Sequence, residues 1–194
     1  MYHGTLIFAT GNANKVKEVQ ALVGNHVSIK SLHDLGYFNE LSETHSTLEG
    51  NALEKARFVY AQFGQNCFSE DTGLEVAALG GAPGVYSARY AGPDKGADDN
   101  MALLLKNLEG QANRKARFRT VVSLIIDGAE YQFEGVAEGH ILEGRRGTAG
   151  FGYDPVFQPL GYDRTYAEMT LAEKAPMSHR GKAVSQLIEF LKNF

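Results

Sequence analysis

The chain lacks several residue types and patterns that define common classes of protein. Its 194 residues include no tryptophan and only one cysteine. Because Cys67 has no possible partner in the chain, an intramolecular disulfide is excluded, and a cysteine-ligated zinc or iron–sulfur site is strongly disfavoured. The 19 Lys and Arg residues are fewer than the 23 Asp and Glu residues, so no basic surplus favours nonspecific binding to nucleic acid.

Long apolar runs and common hydrolase motifs are also missing. No apolar run approaches the roughly 20 residues that a membrane span needs, and the first residues do not resemble a secretory signal. The six histidines show no H-E-x-x-H spacing, and no G-x-S-x-G motif occurs, so zinc and serine-nucleophile chemistry are disfavoured. We therefore expect a soluble, cytoplasmic protein that binds neither membranes nor nucleic acid.

The residues that are present predict an α/β protein. Hydrophobic residues make up 43% and charged residues 22% of the chain, an ordinary globular balance. The predicted strands cover residues 6–9, 27–32, 66–69, 117–126 and 129–141, and the predicted helices cover 14–23, 47–63, 96–108 and 180–194. We expect Gly24 to end the first helix and Asp127-Gly128 to form a type I′ hairpin turn. The opening order of strand, helix and strand favours a parallel pair with a right-handed crossover.

The first candidate site is the segment between the first strand and the first helix. Its residues are Thr10, Gly11, Asn12, Ala13, Asn14 and Lys15. Backbone N–H groups at a helix N-terminus attract anions, and a lysine there adds positive charge, so this segment could bind phosphates. The alternative is an ordinary Asn/Gly turn in which Asn14 caps the helix.

The second candidate site is acidic. Glu70 and Asp71 follow a predicted buried strand, and adjacent carboxylates repel each other unless they are exposed, paired or neutralised by a cation. Mg²⁺ prefers oxygen ligands and often takes one or two carboxylates, and Glu43 is a candidate for a further ligand. The alternatives are a polar turn and a solvated loop acid. On the helix at 47–63, Thr47, Asn51 and Lys55 form a polar stripe at four-residue spacing.

Three further segments could contact a ligand. The Gly-rich loop at 80–90 is irregular and contains Ser87 and Arg89. Phe151, flanked by glycines, could stack on a nucleobase, although it could equally lie in the core. Arg180 in the first turn of the last helix is unfavourable for the helix dipole unless an anion compensates, so it either binds a ligand or pairs with an acid.

Taken in order along the chain, these motifs resemble one family. They are T-G-N-x-x-K at 10–15, E-D-T-G-L at 70–74, G-G-A-P-G-V-Y-S-A-R-Y at 80–90, G-F-G-Y-D-P at 150–155 and S-H-R-G at 178–181. From residue 5 to about residue 187, the chain resembles the inosine triphosphatase family, the dITP/XTP pyrophosphatases. The resemblance implies an Mg²⁺-dependent enzyme that cleaves dITP, ITP and XTP to the monophosphate and pyrophosphate.

The resemblance also implies a fold and an assembly. The expected fold is one two-lobed α/β domain over residues 1–194, with an elongated, twisted mixed β-sheet, flanking helices and a central cleft. The expected assembly is a homodimer.

The resemblance assigns roles to individual residues. Asp71 corresponds to the general base, and Glu43, Asp71 and Glu70 to metal ligands. Many bacterial members have two aspartates where this chain has Glu70-Asp71, so Glu70 departs from their pattern by one methylene. The residues implied in substrate binding are the segment from Thr10 to Lys15, Lys55, Thr72, Phe151, Gly152, Tyr153, Asp154, Lys174, His179 and Arg180.

Three alternatives remain at this point. A Maf-type pyrophosphatase would act on modified pyrimidine triphosphates instead. A noncatalytic nucleotide-binding module would not need the acids, yet Glu43, Glu70 and Asp71 are all present. A nucleic-acid-binding protein could use Phe151 as a stacking platform, although the acidic pI of about 5.9 argues against it.

Overall fold

A computed structural model describes residues 2–23, 27–94 and 96–194. The predicted helix end at Gly24 lies outside these residues. The described strands are β1 (Thr5–Phe8), β2 (Ser28–Ser31), β3 (Cys67–Val76), β4 (Pro83–Gly84), β5 (Lys115–Ile126), β6 (Ala129–Ile141) and β7 (Phe157–Pro159). The described helices are α1 (Ala13–Val23), α2 (Leu48–Phe63), α3 (Ala97–Asn107), α4 (Leu171–Lys174) and α5 (His179–Lys192).

The strands form a mixed sheet. Its order is β2-β1-β3-β5-β6-β7, and β4 pairs with β3. β1 runs parallel to β2 and β3, with Thr5 opposite Ser28 and Ile7 opposite Cys67, whereas β3 and β4, and β6 and β7, are antiparallel. The predicted α/β class, with a mixed sheet and flanking helices, is confirmed.

Local sequence explains the best-predicted elements. Asp127 (φ 50°) and Gly128 (φ 81°) both have positive φ, as a type I′ turn between β5 and β6 requires. α2 begins after Thr47, whose Oγ1 accepts a hydrogen bond from the Gly50 N–H at 3.1 Å, and ends at Gly64 in the left-handed conformation. These boundaries agree with the predicted hairpin and helix.

The chain divides into two compact units, each with its own core. The first unit comprises Met1–Asp71, Thr120–Gly135 and His179–Phe194, and the second comprises Thr72–Arg119 and Val136–Ser178. In the second unit, Leu104 of α3 and Phe118 of β5 belong to one apolar cluster with Phe157 and Tyr166. None of the described helices is both long and apolar enough to cross a membrane.

The first unit places helices on both faces of its strands. Leu6, Phe8 and Phe68 belong to a buried cluster with residues of α1 and α5. The alternate residues Ile7 and Cys67 belong to a second cluster with residues of α2. Successive strand residues point to opposite faces, so each residue of β3 in this unit faces either α1 and α5 or α2.

Gly135 permits the close approach of α5 to β6. A Cβ built on Gly135 would lie 2.0 Å from the His179 carbonyl oxygen and 2.6 Å from the Ala183 backbone nitrogen. We therefore expect Gly135→Ala to lower the free energy of unfolding by about 1–3 kcal/mol, the usual cost of overpacking, in urea denaturation. Gly144→Ala is the matched control, because a Cβ there meets nothing within 4 Å. Equal stability of the two variants would contradict the expectation.

Candidate active site

The loop between β1 and α1 exposes backbone at the start of a helix. Asn12 Oδ1 accepts hydrogen bonds from the backbone N–H groups of Asn14 at 3.0 Å and Lys15 at 3.2 Å. Asn12 therefore caps α1, and the alternative that Asn14 is the cap is wrong. Residues 11–14 are exposed, so this backbone can be reached by a ligand, including Gly11 and Ala13 of the predicted phosphate segment.

The acidic pair lies within β3 and not after it. We expected the strand to end at Ser69, but β3 continues through Glu70 and Asp71 to Val76. Glu70 is 2% exposed and Asp71 is 5% exposed. Their side chains point to opposite faces because they are neighbours on one strand, so each meets a different cation and the expected repulsion is avoided.

Glu70 faces α1 and α5, where it pairs with two cations. Its Oε2 accepts from Arg180 Nε at 2.7 Å, and its Oε1 accepts from Arg180 Nη2 at 2.8 Å. Lys15 Nζ lies 3.1 Å from Glu70 Oε1, and Arg180 Nη1 donates to Glu18. Burial would raise the pKa of Glu70, but the charges of Arg180 and Lys15 outweigh burial and hold that pKa well below its ordinary value.

These ion pairs of Arg180 explain how the first turn of the last helix can contain a cation. Arg180 is 1% exposed, and its unfavourable position for the helix dipole is offset by the carboxylates of Glu70 and Glu18. Of the two predicted possibilities for Arg180, pairing with an acid is therefore the one observed. His179, the first residue of α5, is also buried.

Asp71 faces α2 and shares a lysine with Glu43. Lys55 Nζ donates to Glu43 Oε1 at 2.7 Å and to Asp71 Oδ1 at 3.4 Å. The other carboxylate oxygen of Asp71, Oδ2, is buried and has no hydrogen-bond partner. Burial raises the pKa of Asp71, and the negative charge of Glu43 adds to this, while the charge of Lys55 opposes it. Glu43, Lys55 and Asp71 therefore lie together in the first unit.

Two of the three predicted metal ligands suit a hard divalent cation. Asp71 offers an unpartnered carboxylate oxygen, and Glu43 is held by the same lysine. Glu70 does not fit the role in this structure, because both of its oxygens pair with Arg180 and Lys15. Among residues 2–23, 27–94 and 96–194, no three His, Cys, Asp or Glu side chains form a metal-binding cluster. A cation bound here would rely on two carboxylates and on substrate oxygens, as Mg²⁺ commonly does.

The second unit contains the predicted base-binding segment. Asp154 Oδ2 accepts from Lys174 Nζ at 2.6 Å and from the Phe151 backbone N–H at 3.0 Å. Both charged side chains are buried, whereas Phe151 is only half-buried, so its ring lies outside the core cluster. Lys174 Nζ lies 5.3 Å from the centroid of the Phe151 ring. One lysine therefore holds both the acid and the aromatic ring of this segment.

The backbone conformation of Gly150 and the hydrogen bonds of Ser87 stabilise the predicted base-binding segment of the second unit. Gly150 has φ 74°, and a Cβ there would lie 2.1 Å from Asp154 Oδ2, so the segment requires glycine at this position. Gly152 follows Phe151, and the Tyr153 hydroxyl donates to the Ser87 carbonyl at 2.8 Å. Ser87 Oγ accepts from the Leu74 N–H at 2.8 Å. Through these hydrogen bonds, the loop at 80–90 stabilises the predicted base-binding segment. Thr72, another predicted substrate-binding residue, is half-buried on β3.

Sequence reasoning did not nominate two buried polar residues of the first unit. Glu18 is 8% exposed and accepts from Arg180, and its place three residues after Lys15 on α1 was an available signal. Asn51 is fully buried and belongs to the polar stripe of α2, yet only Lys55 was singled out from that stripe.

The chain is similar to known proteins over nearly its whole length. Residues 6–190 match the Ham1 family. A dITP/XTP pyrophosphatase of Flavobacterium johnsoniae is 52% identical over 96% of this chain and 97% of that protein. A HAM1 protein structure from Coxiella burnetii superposes with a TM-score of 0.90, at 35% identity over 99% of this chain and 100% of that chain.

A third comparison agrees with these two. The structure of the Ham1 protein of Staphylococcus aureus has a TM-score of 0.88, at 34% identity over 98% of this chain and 99% of that chain. The family resemblance expected from the order of the motifs is thereby confirmed. This chain belongs to the Ham1 family.

Proposed function

We propose that this protein is a nucleoside triphosphate pyrophosphatase that cleaves dITP, ITP and XTP to the monophosphate and pyrophosphate. The observation that carries the proposal is the buried carboxylate of Asp71, which shares Lys55 with Glu43 and keeps one oxygen without a partner. The name of the F. johnsoniae relative, dITP/XTP pyrophosphatase, supports the same reaction.

The proposed cofactor is Mg²⁺, held by Glu43 and Asp71. When bound, it polarises phosphoryl oxygens and offsets the negative charge of the triphosphate. We assign Glu70 a different role, because Arg180 and Lys15 occupy its oxygens. In the proposal Glu70 holds these two cations in place.

In the proposed reaction, Asp71 is the general base. Its Oδ2 accepts a proton from a water molecule. The oxygen of that water forms a new bond to the α phosphorus, and the anhydride bond between the α and β phosphates breaks. Pyrophosphate leaves with the electron pair of the broken bond. A positioned carboxylate within reach of the attacking water can act as a general base. Lys55 holds Oδ1 and thereby orients Oδ2.

The triphosphate also requires positive charge and N–H donors from the protein. We assign these to Lys55, to Lys15 and to the backbone between Thr10 and Asn14, where the start of α1 favours anions. Lys15 has 18% of its side chain exposed, so it can contact a phosphate while it lies on Glu70. Thr72 is assigned a further contact through its hydroxyl.

Base recognition is assigned to Phe151, Gly152, Tyr153 and Asp154, with Lys174 and His179 completing the nucleotide contacts. Hypoxanthine and xanthine carry a 6-oxo acceptor, whereas adenine carries a 6-amino donor. When ATP binds, a buried N–H group that would pair with the oxo oxygen has no acceptor. The kcat/KM for ATP is therefore lowered. Arg180 already donates to Glu70 and Glu18, so we assign it to positioning, and we assign the direct contacts to backbone N–H groups and His179.

The proposal is tested by separate measurement of the products. Purified protein with Mg²⁺ is given dITP, XTP, ATP or dGTP, and pyrophosphate and orthophosphate are quantified individually. We expect pyrophosphate from dITP and XTP, with kcat/KM at least about 100-fold above that for ATP, and no turnover after removal of Mg²⁺ with a chelator. Orthophosphate as the first product, or equal rates on ATP, would contradict the proposal. Turnover of modified pyrimidine triphosphates alone would favour the Maf-type alternative.

The proposal extends to assembly and location. We assign the protein to the cytoplasm, where the nucleotide pool that it would clear is located, and to a homodimer. Sedimentation equilibrium of the purified protein would return twice the 21.2 kDa chain mass if the homodimer forms.

A further inference from the structure

Asn51 of α2 has a fully buried side chain, and one of the two polar atoms of its amide makes no hydrogen bond. Its exposure is 0%, and its Oδ1 accepts a hydrogen bond from the His45 backbone N–H at 2.8 Å. Its Nδ2 has no hydrogen-bond partner. The His45 donor decides the orientation of the amide, because only the oxygen can accept that hydrogen bond. The NH₂ group must therefore be the unsatisfied end.

The unsatisfied end belongs to the helix face that meets Asp71. Asn51 and Lys55 are four residues apart and so lie on the same face of α2, and Lys55 Nζ is 3.4 Å from Asp71 Oδ1. Asp71 Oδ2 is itself buried without a partner. The Asn51 amide is near enough to act on the pKa of Asp71, which it lowers. The Asn51 side chain, with its unsatisfied donor, therefore interacts with a carboxylate that has an unsatisfied acceptor.

Leaving these two groups unsatisfied is costly. A buried polar group without a hydrogen bond costs about 1–3 kcal/mol, and such groups are rare in folded proteins. Alanine at position 51 would remove the unsatisfied donor, yet the chain carries a full amide there. The amide is therefore explained by a role that alanine could not fill.

The other end of Asn51 holds the segment that carries Glu43. His45, whose N–H Asn51 accepts, is two residues from Glu43. The same segment has a second tether to α2, because Thr44 donates to Glu54 through its backbone N–H at 2.9 Å and its Oγ1 at 2.8 Å. Of these two tethers, Asn51 is the one that also faces Asp71.

We propose that Asn51 is a positioning residue that sets the relative placement of the Glu43 and Asp71 carboxylates. Its carbonyl oxygen holds the segment of Glu43, and its NH₂ group donates to one lone pair of Asp71 Oδ2, which leaves the second lone pair of that oxygen to accept the proton. This role rests on the proposed function, in which both carboxylates hold a divalent cation and Asp71 accepts the proton. Asn51 itself touches neither the substrate nor the cation.

Two substitutions separate the two ends of the amide. Asn51→Ala removes both contacts. Asn51→Asp is nearly isosteric and keeps an oxygen that can accept from His45, but it replaces the donor to Asp71 with an acceptor. For both variants we expect kcat on dITP to fall about 10–100-fold, the usual effect of losing a group that orients a metal ligand, with KM changed less than threefold at a temperature where each variant is folded.

Glu54→Gln is the matched control. It alters the second tether of the same segment but has no contact with Asp71, so its kcat should remain at the wild-type value. A kcat of Asn51→Asp equal to that of wild type or of Glu54→Gln would overturn the proposal, as would a loss expressed only in KM. If Asn51→Ala does not fold, Asn51→Asp decides the question by itself.

A binding measurement separates this proposal from the proposed function. Mn²⁺ is titrated into substrate-free wild type and Asn51→Ala, and free Mn²⁺ is followed by electron paramagnetic resonance. We expect the Kd of Asn51→Ala to rise about 10-fold or more, whereas an unchanged Kd would overturn the role of Asn51. Weaker Mn²⁺ binding by Asn51→Ala, in a protein whose wild type does not cleave dITP, would support the positioning role and contradict the proposed reaction.

Discussion

Replacing Arg180 with alanine is expected to lower the free energy of unfolding by about 3–5 kcal/mol, as measured by urea denaturation. Removal of one partner from a buried ion pair leaves an uncompensated buried charge, and this is the source of the cost. Here two carboxylates lose the guanidinium, because Arg180 donates to both Glu70 and Glu18, and Glu70 retains only the partly exposed Lys15 of the two cations described above. Glu70 is 2% exposed, so water cannot replace the guanidinium without local opening.

Arg57→Ala is the matched control for this prediction. Arg57 makes a similar two-point contact with Glu130, at 2.7 and 2.8 Å, but 61% of its side chain is exposed. Exposed pairs contribute only about 0–1 kcal/mol, so the two variants should differ by at least about 2 kcal/mol. Equal effects would contradict the prediction.

A rescue experiment tests the cause of the instability. In the triple variant Glu18→Gln, Glu70→Gln, Arg180→Met, the two carboxylates that lose the guanidinium in Arg180→Ala are replaced by neutral amides. We expect the triple variant to be more stable than Arg180→Ala, because neutral replacement of a whole buried network is tolerated better than removal of one member. If the triple variant is the less stable of the two, lost packing of the Arg180 side chain is the cause.

Replacing Asp71 with asparagine is expected to reduce kcat on dITP by about 10²–10⁴-fold, the range that a positioned general base contributes. Asparagine has nearly the same size but cannot take a proton from water at neutral pH. Lys55 retains Glu43 as a partner at 2.7 Å, so the fold should survive and the melting temperature should stay near that of wild type. Full activity of the variant would contradict both roles proposed for Asp71.

Glu75→Gln is the control for Asp71→Asn. Glu75 is another carboxylate on β3, and it pairs with Arg117 at 2.7 Å. Its loss removes a strand carboxylate without touching Lys55 or Glu43, so kcat should remain at the wild-type value. A comparable loss of kcat in both variants would show that any charge change on β3 impairs activity, and that Asp71 has no special role.

The elements that could be predicted from sequence depend on residues close together in the chain. The hairpin at Asp127-Gly128 requires two adjacent residues with positive φ, and the start and end of α2 depend on Thr47 and Gly64 within one helical turn. Each of these signals acts over four residues or fewer. Their predicted positions therefore agree with the structure.

The end of β3 was predicted wrongly because its charges are neutralised by distant residues. The prediction placed Glu70 and Asp71 after the strand, where adjacent carboxylates repel each other unless they are exposed, paired or neutralised by a cation. In the structure, Glu70 pairs with Arg180, 110 residues away in the chain, and Asp71 pairs with Lys55, 16 residues away. No pattern near residue 70 specifies which cations will arrive or on which face of the strand.

The α/β class and the order of most elements could be predicted from the amino-acid sequence, as could the family, through the succession of short motifs. These properties follow from local periodicity, capping, turn chemistry and the identity of the motif residues. The folded chain reveals three features that could not be predicted: the pairing of Glu70 with Arg180 and Lys15, the unpartnered oxygen of Asp71, and the interaction of the Asn51 side chain with Asp71. The reason is that strand alternation and helix packing assign the partners, and residues far apart in the chain meet only after the sheet and its helices have assembled.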